Sequence, residues 1–127
     1  MAATFALDVS MSLDDLAWHF VNYHNSDWYE ETKLGLLELG ADEAAELFKK
    51  AFAAVEPRWD ELGDVAQNEG SNDPHDWLDA TGIQKLIDPL NERMWQLLNQ
   101  WPQYGLMHYW LAYARKHPER CIGVLEA

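Results

Sequence analysis

Carboxylates are the commonest groups able to do chemistry in this chain. Asp and Glu total 22 against 9 Lys and Arg, a formal net charge of −13 over 127 residues. Carboxylates can work as general acids and bases, ligate hard cations, or act through their field on a charged partner. Here they are too numerous for any two to stand out as a catalytic pair. The histidines build no recognisable metal centre. His19 and His24 lie five apart, about 140° from each other on a helix, whereas a zinc-protease helix needs histidines at i and i+4 around a glutamate. No Glu-x-x-His pair occurs, so the di-iron bundle arrangement is not encoded either. His75, between Asp73 and Asp76, reads as part of a solvated polar loop rather than a cation site, and His108 as a ring packed among Tyr104, Tyr109 and Trp110. There is no phosphate-cradling glycine loop, nucleophile elbow or Cys-x-x-Cys. Cys121 stands alone, which excludes an intrachain disulfide and fits a reducing compartment. The expectation is a protein that is not an enzyme and uses no cofactor or metal.

The acids are not spread evenly. Between Asp27 and Asp79 fifteen acids face four bases, a net of −11, while the rest of the chain holds seven acids and five bases, a net of −2. The candidate partner-binding surface is therefore Asp27, Glu30, Glu31, Glu38, Asp42, Glu43, Glu56, Asp60, Glu61, Asp64, Glu69, Asp73, Asp76 and Asp79. On a helix Asp27, Glu31 and Glu38 fall within about 40° of one another, opposite the apolar arc. Glu46 is set aside, because Lys49 and Lys50 follow it at the spacing of an ordinary helix-stabilising pair. So much negative charge repels nucleic acid and anionic membrane surfaces, and attracts basic proteins.

These residues need a scaffold, and the pattern is helical throughout. Hydrophobic residues make up 48% of the chain, enough for one real core, and the seven tryptophans read mostly as part of it. Ser12, with Asp15 three residues on, reads as the start of a first helix reaching Tyr23. Asn25 or Ser26 caps a second, with Trp28, Tyr29, Leu36, Leu37 and Leu39 on its apolar arc and Gly40 at its end. Asp42 caps a third, in which Ala44, Leu47, Phe48, Ala51, Phe52 and Val55 recur at helical spacing. A short helical piece over Arg58–Leu62 and a partly helical Asp76–Ile87 flank a surface loop over residues 63–75. Asp88-Pro89 reads as the cap and first residue of a further helix running to Trp101, and a last helix reaches His117. The prediction is an all-α, single compact bundle of about five to seven helices with a long acidic loop between its halves. Residues 1–11 are expected to be a flexible N-terminus without the marks of a signal peptide. No apolar run approaches the ~18–20 residues of a membrane span, so the expected location is cytoplasmic.

Three segments have a familiar order: Phe20-Val21-Asn22-Tyr23-His24-Asn25-Ser26, Leu36-Leu37-Glu38-Leu39-Gly40-Ala41, and Ala45-Glu46-Leu47-Phe48-Lys49-Lys50-Ala51. Together with Asp88 to Trp95 and Tyr113 to Pro118, they resemble the domain of the bacterial DNA-mimic protein family. Where that family often has Gly-Gly-Phe in its first helix, this chain has Trp18-His19-Phe20. The resemblance implies an all-α fold and an acidic surface that occupies a DNA-binding protein's site.

The leading expectation is therefore a DNA-mimic inhibitor. Its partner is a basic DNA- or RNA-binding protein, such as a transcriptional repressor or a nucleic-acid-targeting defence enzyme. The alternative is an immunity-type acidic module that neutralises a basic toxin without imitating DNA, with an uncharacterised enzyme as the remote third. The sequence leaves the oligomeric state open, a dimer included.

Overall fold

The computed structural model describes residues 2–67, 73–100 and 103–120. Within them eight α-helices form an all-α bundle, with a minimal hairpin before the last: α1 Ala2–Leu13, α2 Leu16–Asn22, α3 Ser26–Glu38, α4 Asp42–Val55, α5 Trp59–Gln67, α6 Pro74–Thr81, α7 Ile83–Leu98, β1 Asn99–Gln100, β2 Gln103–Tyr104 and α8 Met107–Lys116. Short 3-10 turns over Glu56–Arg58 and Pro118–Arg120 join α4 to α5 and follow α8. The hairpin pairs Asn99 with Tyr104 and Gln100 with Gln103, antiparallel.

The N-terminus corrects the sequence expectation. It is a helix, and Ala3, Ala6, Leu7, Ser10 and Met11 bury one side of it at i, i+3, i+4 spacing. Ser12 does not start a helix; its hydroxyl bonds back to the Asp8 carbonyl at 2.9 Å. The cap of α2 is Asp15, whose carboxylate accepts from the Trp18 N–H at 2.9 Å. α1 lies against α3 where Gly35 leaves room: a Cβ there would stand 2.8 Å from the Thr4 methyl. α3 begins as expected, with the Asn25 side chain accepting from Asp27 and Trp28 N–H groups. Gly40 follows it at φ +79, the left-handed conformation that glycine adopts without strain. The cap of α4 lies one residue earlier than expected. Ala41 holds the cap position without a side-chain bond, and Asp42 and Glu43 sit in the first turn, where acids complement the helix dipole.

The expected helix start at Asp88-Pro89 is not one. α7 runs from Ile83 through Pro89 to Leu98. Ile83, Ile87, Asn91, Met94, Leu97 and Leu98 bury a continuous stripe against α4 and α2, so packing outweighs the local cost of the proline. The expected 63–75 loop is also shorter: residues through Gln67 continue α5, Asp73 caps α6, and α6 starts at Pro74. Its centre, with Glu69, lies outside the described residues.

The core gathers Leu7, Leu16, Phe20, Leu36, Phe48, Leu62, Leu78, Ile87, Met94 and Leu106, all at 1% exposure or less. Most of the tryptophans join this core from its edge: Trp18, Trp59, Trp77, Trp95 and Trp110 pack against it. Trp18, Trp28, Trp59, Trp77, Trp95 and Trp110 are half-buried at the rim, and Trp101 lies outside the described residues. Burial also takes in polar groups. Asn91, 1% exposed, accepts from the Leu16 N–H at 2.9 Å and so satisfies a donor at the start of α2 from the middle of α7. Substitution Asn91→Leu orphans that donor, and urea titration should show a loss of about 1–3 kcal/mol.

Candidate acidic partner interface

Thirteen of the fourteen candidate acids fall on described residues, and every one of them is exposed. Glu69 is the exception. The folding reason is the same for each: the apolar positions of α3 to α6 turn inward, and the acids occupy what remains of each helix. On α3 the inward positions are Tyr29, Thr32 and Leu36, leaving Asp27, Glu31 and Glu38 on the opposite side, as the spacing predicts.

The structure divides the acids by their partners. Glu43 is bound by Arg93 of α7 through two hydrogen bonds, one of 2.9 Å from Nη2. That guanidinium holds the Glu43 carboxyl below its ordinary pKa. Glu30 pairs with Lys33 at 2.9 Å, Glu61 with Arg58 at 3.4 Å, and Asp79 lies 3.8 Å from His75. Glu38 accepts a 2.6 Å hydrogen bond from the Tyr113 hydroxyl of α8. Glu46, set aside in the sequence, pairs with Lys49 at 3.3 Å. Among the described residues, no Lys, Arg or His lies within ion-pair distance of Asp27, Glu31, Asp42, Glu56, Asp60, Asp64 or Asp76.

Two tyrosines report which acids the fold brings together. The Tyr29 hydroxyl is pushed up in pKa first by burial; Lys33 opposes this, and Glu30, Glu56 and Glu46 reinforce it. The 3-10 turn thus brings Glu56 within electrostatic reach of the Tyr29 hydroxyl, together with Glu30 and Glu46. Tyr109 is raised by burial, then by Glu43 and Asp42, which places the start of α4 beside α8. Beyond the turn, Asp60 and Asp64 stand one helical turn apart on α5, and Asp76 and Asp79 likewise on α6, which packs on α5. Carboxylates at that spacing sit about 5–6 Å from one another, coarse enough to imitate a run of backbone phosphates. A shallow depression lined by Glu56 to Glu61 marks the turn. Among the described residues, no cluster of His, Cys, Asp and Glu has the arrangement of a metal site.

Residues 3–117 match the DMP19-like protein family, DNA mimic protein 19. The chain belongs to that family. Neither a curated protein nor a solved structure matches it at a significant level. The DMP19-like match spans α1 to the residue after α8, so the N-terminal helix that the sequence reading left outside the fold is part of the family domain. An all-α DMP19-like fold is what the resemblance implied. Among the described residues, no helix is long and apolar enough to cross a membrane.

Sequence reasoning missed one feature of this DMP19-like surface. Leu34 and Leu37 of α3 are 59% and 47% exposed, although Leu37 is expected on the inward arc. The signal was available: at 100° per residue Leu34 falls on the same side as Asp27 and Glu38.

Proposed function

We propose that this DMP19-like protein is an inhibitory binding protein whose acidic surface occupies the basic nucleic-acid-binding site of a partner. The partner is a DNA- or RNA-binding protein, such as a transcriptional repressor or a nucleic-acid-targeting defence enzyme, and the encounter takes place in the cytoplasm. The protein acts by binding and not by catalysis. Family membership carries the reading, and the seven exposed carboxylates that have no cation partner among the described residues support it. Their unpaired charge lends itself to attraction over a distance, since an exposed pair already neutralised locally contributes little. The surface repels nucleic acid itself, so inhibition works by occupying the partner and not by covering its DNA.

Capture from host lysate on the immobilised protein, washed at low and then high salt, tests this. The expected result is a set of proteins released by salt that also bind immobilised duplex DNA. The immunity-type alternative makes a different set: one basic toxin, encoded beside this gene, that does not bind DNA. Recovery of that toxin alone would replace the mimic reading.

A further inference from the structure

The outward face of α3 is not purely acidic. Leu34 is 59% exposed and stands at its centre. One turn before it lie Glu30 and Glu31, and one turn after it Leu37 and Glu38, the positions whose side chains neighbour it on a helix. Phosphate mimicry has no use for a solvated leucine here, and leaving it in water forgoes the gain of burial. An apolar centre within a charged rim is the anatomy of a protein-binding patch.

The helix behind this face is held from three sides. Thr4 of α1 closes against Gly35, Tyr29 stacks on Phe52 of α4 at 3.7 Å, and the Tyr113 hydroxyl of α8 holds Glu38 at 2.6 Å. The face is therefore pre-organised, which lowers the entropic cost of docking. Charge selects the occupant. A second copy of this chain would set Asp27, Glu30, Glu31 and Glu38 against their own counterparts, with Lys33 already engaged by Glu30. A cationic segment meets complementary charge on the same rim.

We infer that the outward face of α3 docks a cationic amphipathic helix of the partner, whose apolar stripe seats on Leu34 and Leu37 while its Lys or Arg residues meet Glu30, Glu31 and Glu38. This rests on the reading of a basic partner and deepens it: contact is apolar at the centre and electrostatic at the rim, so binding discriminates among cations by the order of their residues.

The test uses the full chain and three synthetic probes: an amphipathic Leu/Lys peptide about five helical turns long, a scrambled peptide of the same composition, and an oligolysine of equal charge. The amphipathic peptide is expected to bind at least about tenfold more tightly than the other two at physiological salt. The double variant Leu34→Gln/Leu37→Gln should erase that gap with the melting temperature unchanged. Leu86→Gln, at an exposed leucine of α7, should leave it intact. Equal binding of all three probes overturns the inference, as does a gap that survives the double variant or vanishes equally in Leu86→Gln. A dimer in sedimentation that the double variant dissociates would assign the face to a second copy and overturn it too. If all three cationic probes bind equally and charge reversal weakens them, only this inference falls. If none binds, the basic-partner reading falls with it.

Discussion

The triple variant Asp27→Lys/Glu31→Lys/Glu38→Gln is expected to lower affinity for the cationic partner at least about a hundredfold in low salt, with a much smaller loss above about 0.5 M salt. Each lysine reverses an exposed charge on the face of α3 that points away from the core. Glutamine is chosen at residue 38 because the structure gives Glu38 a second duty. Its carboxylate accepts the Tyr113 hydroxyl, and an amide oxygen can keep that bond while losing the charge. Asp27 also sits in the first turn of α3, where its charge favours the helix, so a fall of up to about 5 °C in melting temperature is expected. Isothermal titration at two salt concentrations reads the affinity, and a calorimetric scan reads the stability. Affinity unchanged at low salt would remove α3 from the interface, leaving α5 and α6 as its seat.

The second large effect concerns stability and acid. His19 is 3% exposed, bonded to the Ser10 hydroxyl at 2.8 Å and enclosed by Phe20, Tyr23 and Phe48. Burial lowers its pKa from 6.5 to about 4, since an imidazolium there would lose its hydration. In the unfolded chain the same ring titrates near its ordinary value. Between pH 6.5 and about 4 the unfolded state therefore holds more protons, and stability falls as the pH falls. The contribution is complete above pH 6.5 and is lost by about pH 4; the loss amounts to roughly 3 kcal/mol. The comparison that isolates His19 is His19→Phe, followed by urea titration across the same range. The difference between wild type and variant should grow as the pH drops. A constant difference would mean that His19 is not buried in its neutral form.

Much of this fold is legible in the sequence, and its failures have identifiable causes. α4 is readable because Ala44, Leu47, Phe48, Ala51 and Val55 repeat at the helical period and are all buried. α1 keeps the same period, but with Ala3, Ala6 and Ser10 at the inward positions, too little apolar surface to distinguish a helix from a tail. What makes those small residues useful is the close approach at Gly35, a tertiary fact. Pro89 misleads because a local rule is outweighed by the buried stripe on α7, which has no local signature of its dominance.

For the candidate surface, exposure was readable and pairing was not. The helical spacing places Asp27, Glu31 and Glu38 outward, as found. Nothing in the chain order brings Arg93 to Glu43 across fifty positions, or Tyr113 to Glu38 across seventy-five. Those contacts show that Glu43 and Glu38, both exposed, also help to hold the bundle together.

The most direct measurement of the central claim is competition between this protein and duplex DNA for one partner recovered in the salt-released fraction. With labelled duplex bound to the partner, fluorescence anisotropy should fall to the free-DNA value as the protein is added. The apparent dissociation constant of the DNA should rise in proportion to the protein concentration without reaching a plateau. A plateau, or a ternary complex of partner, duplex and this protein in sedimentation, would contradict occupation of the DNA site.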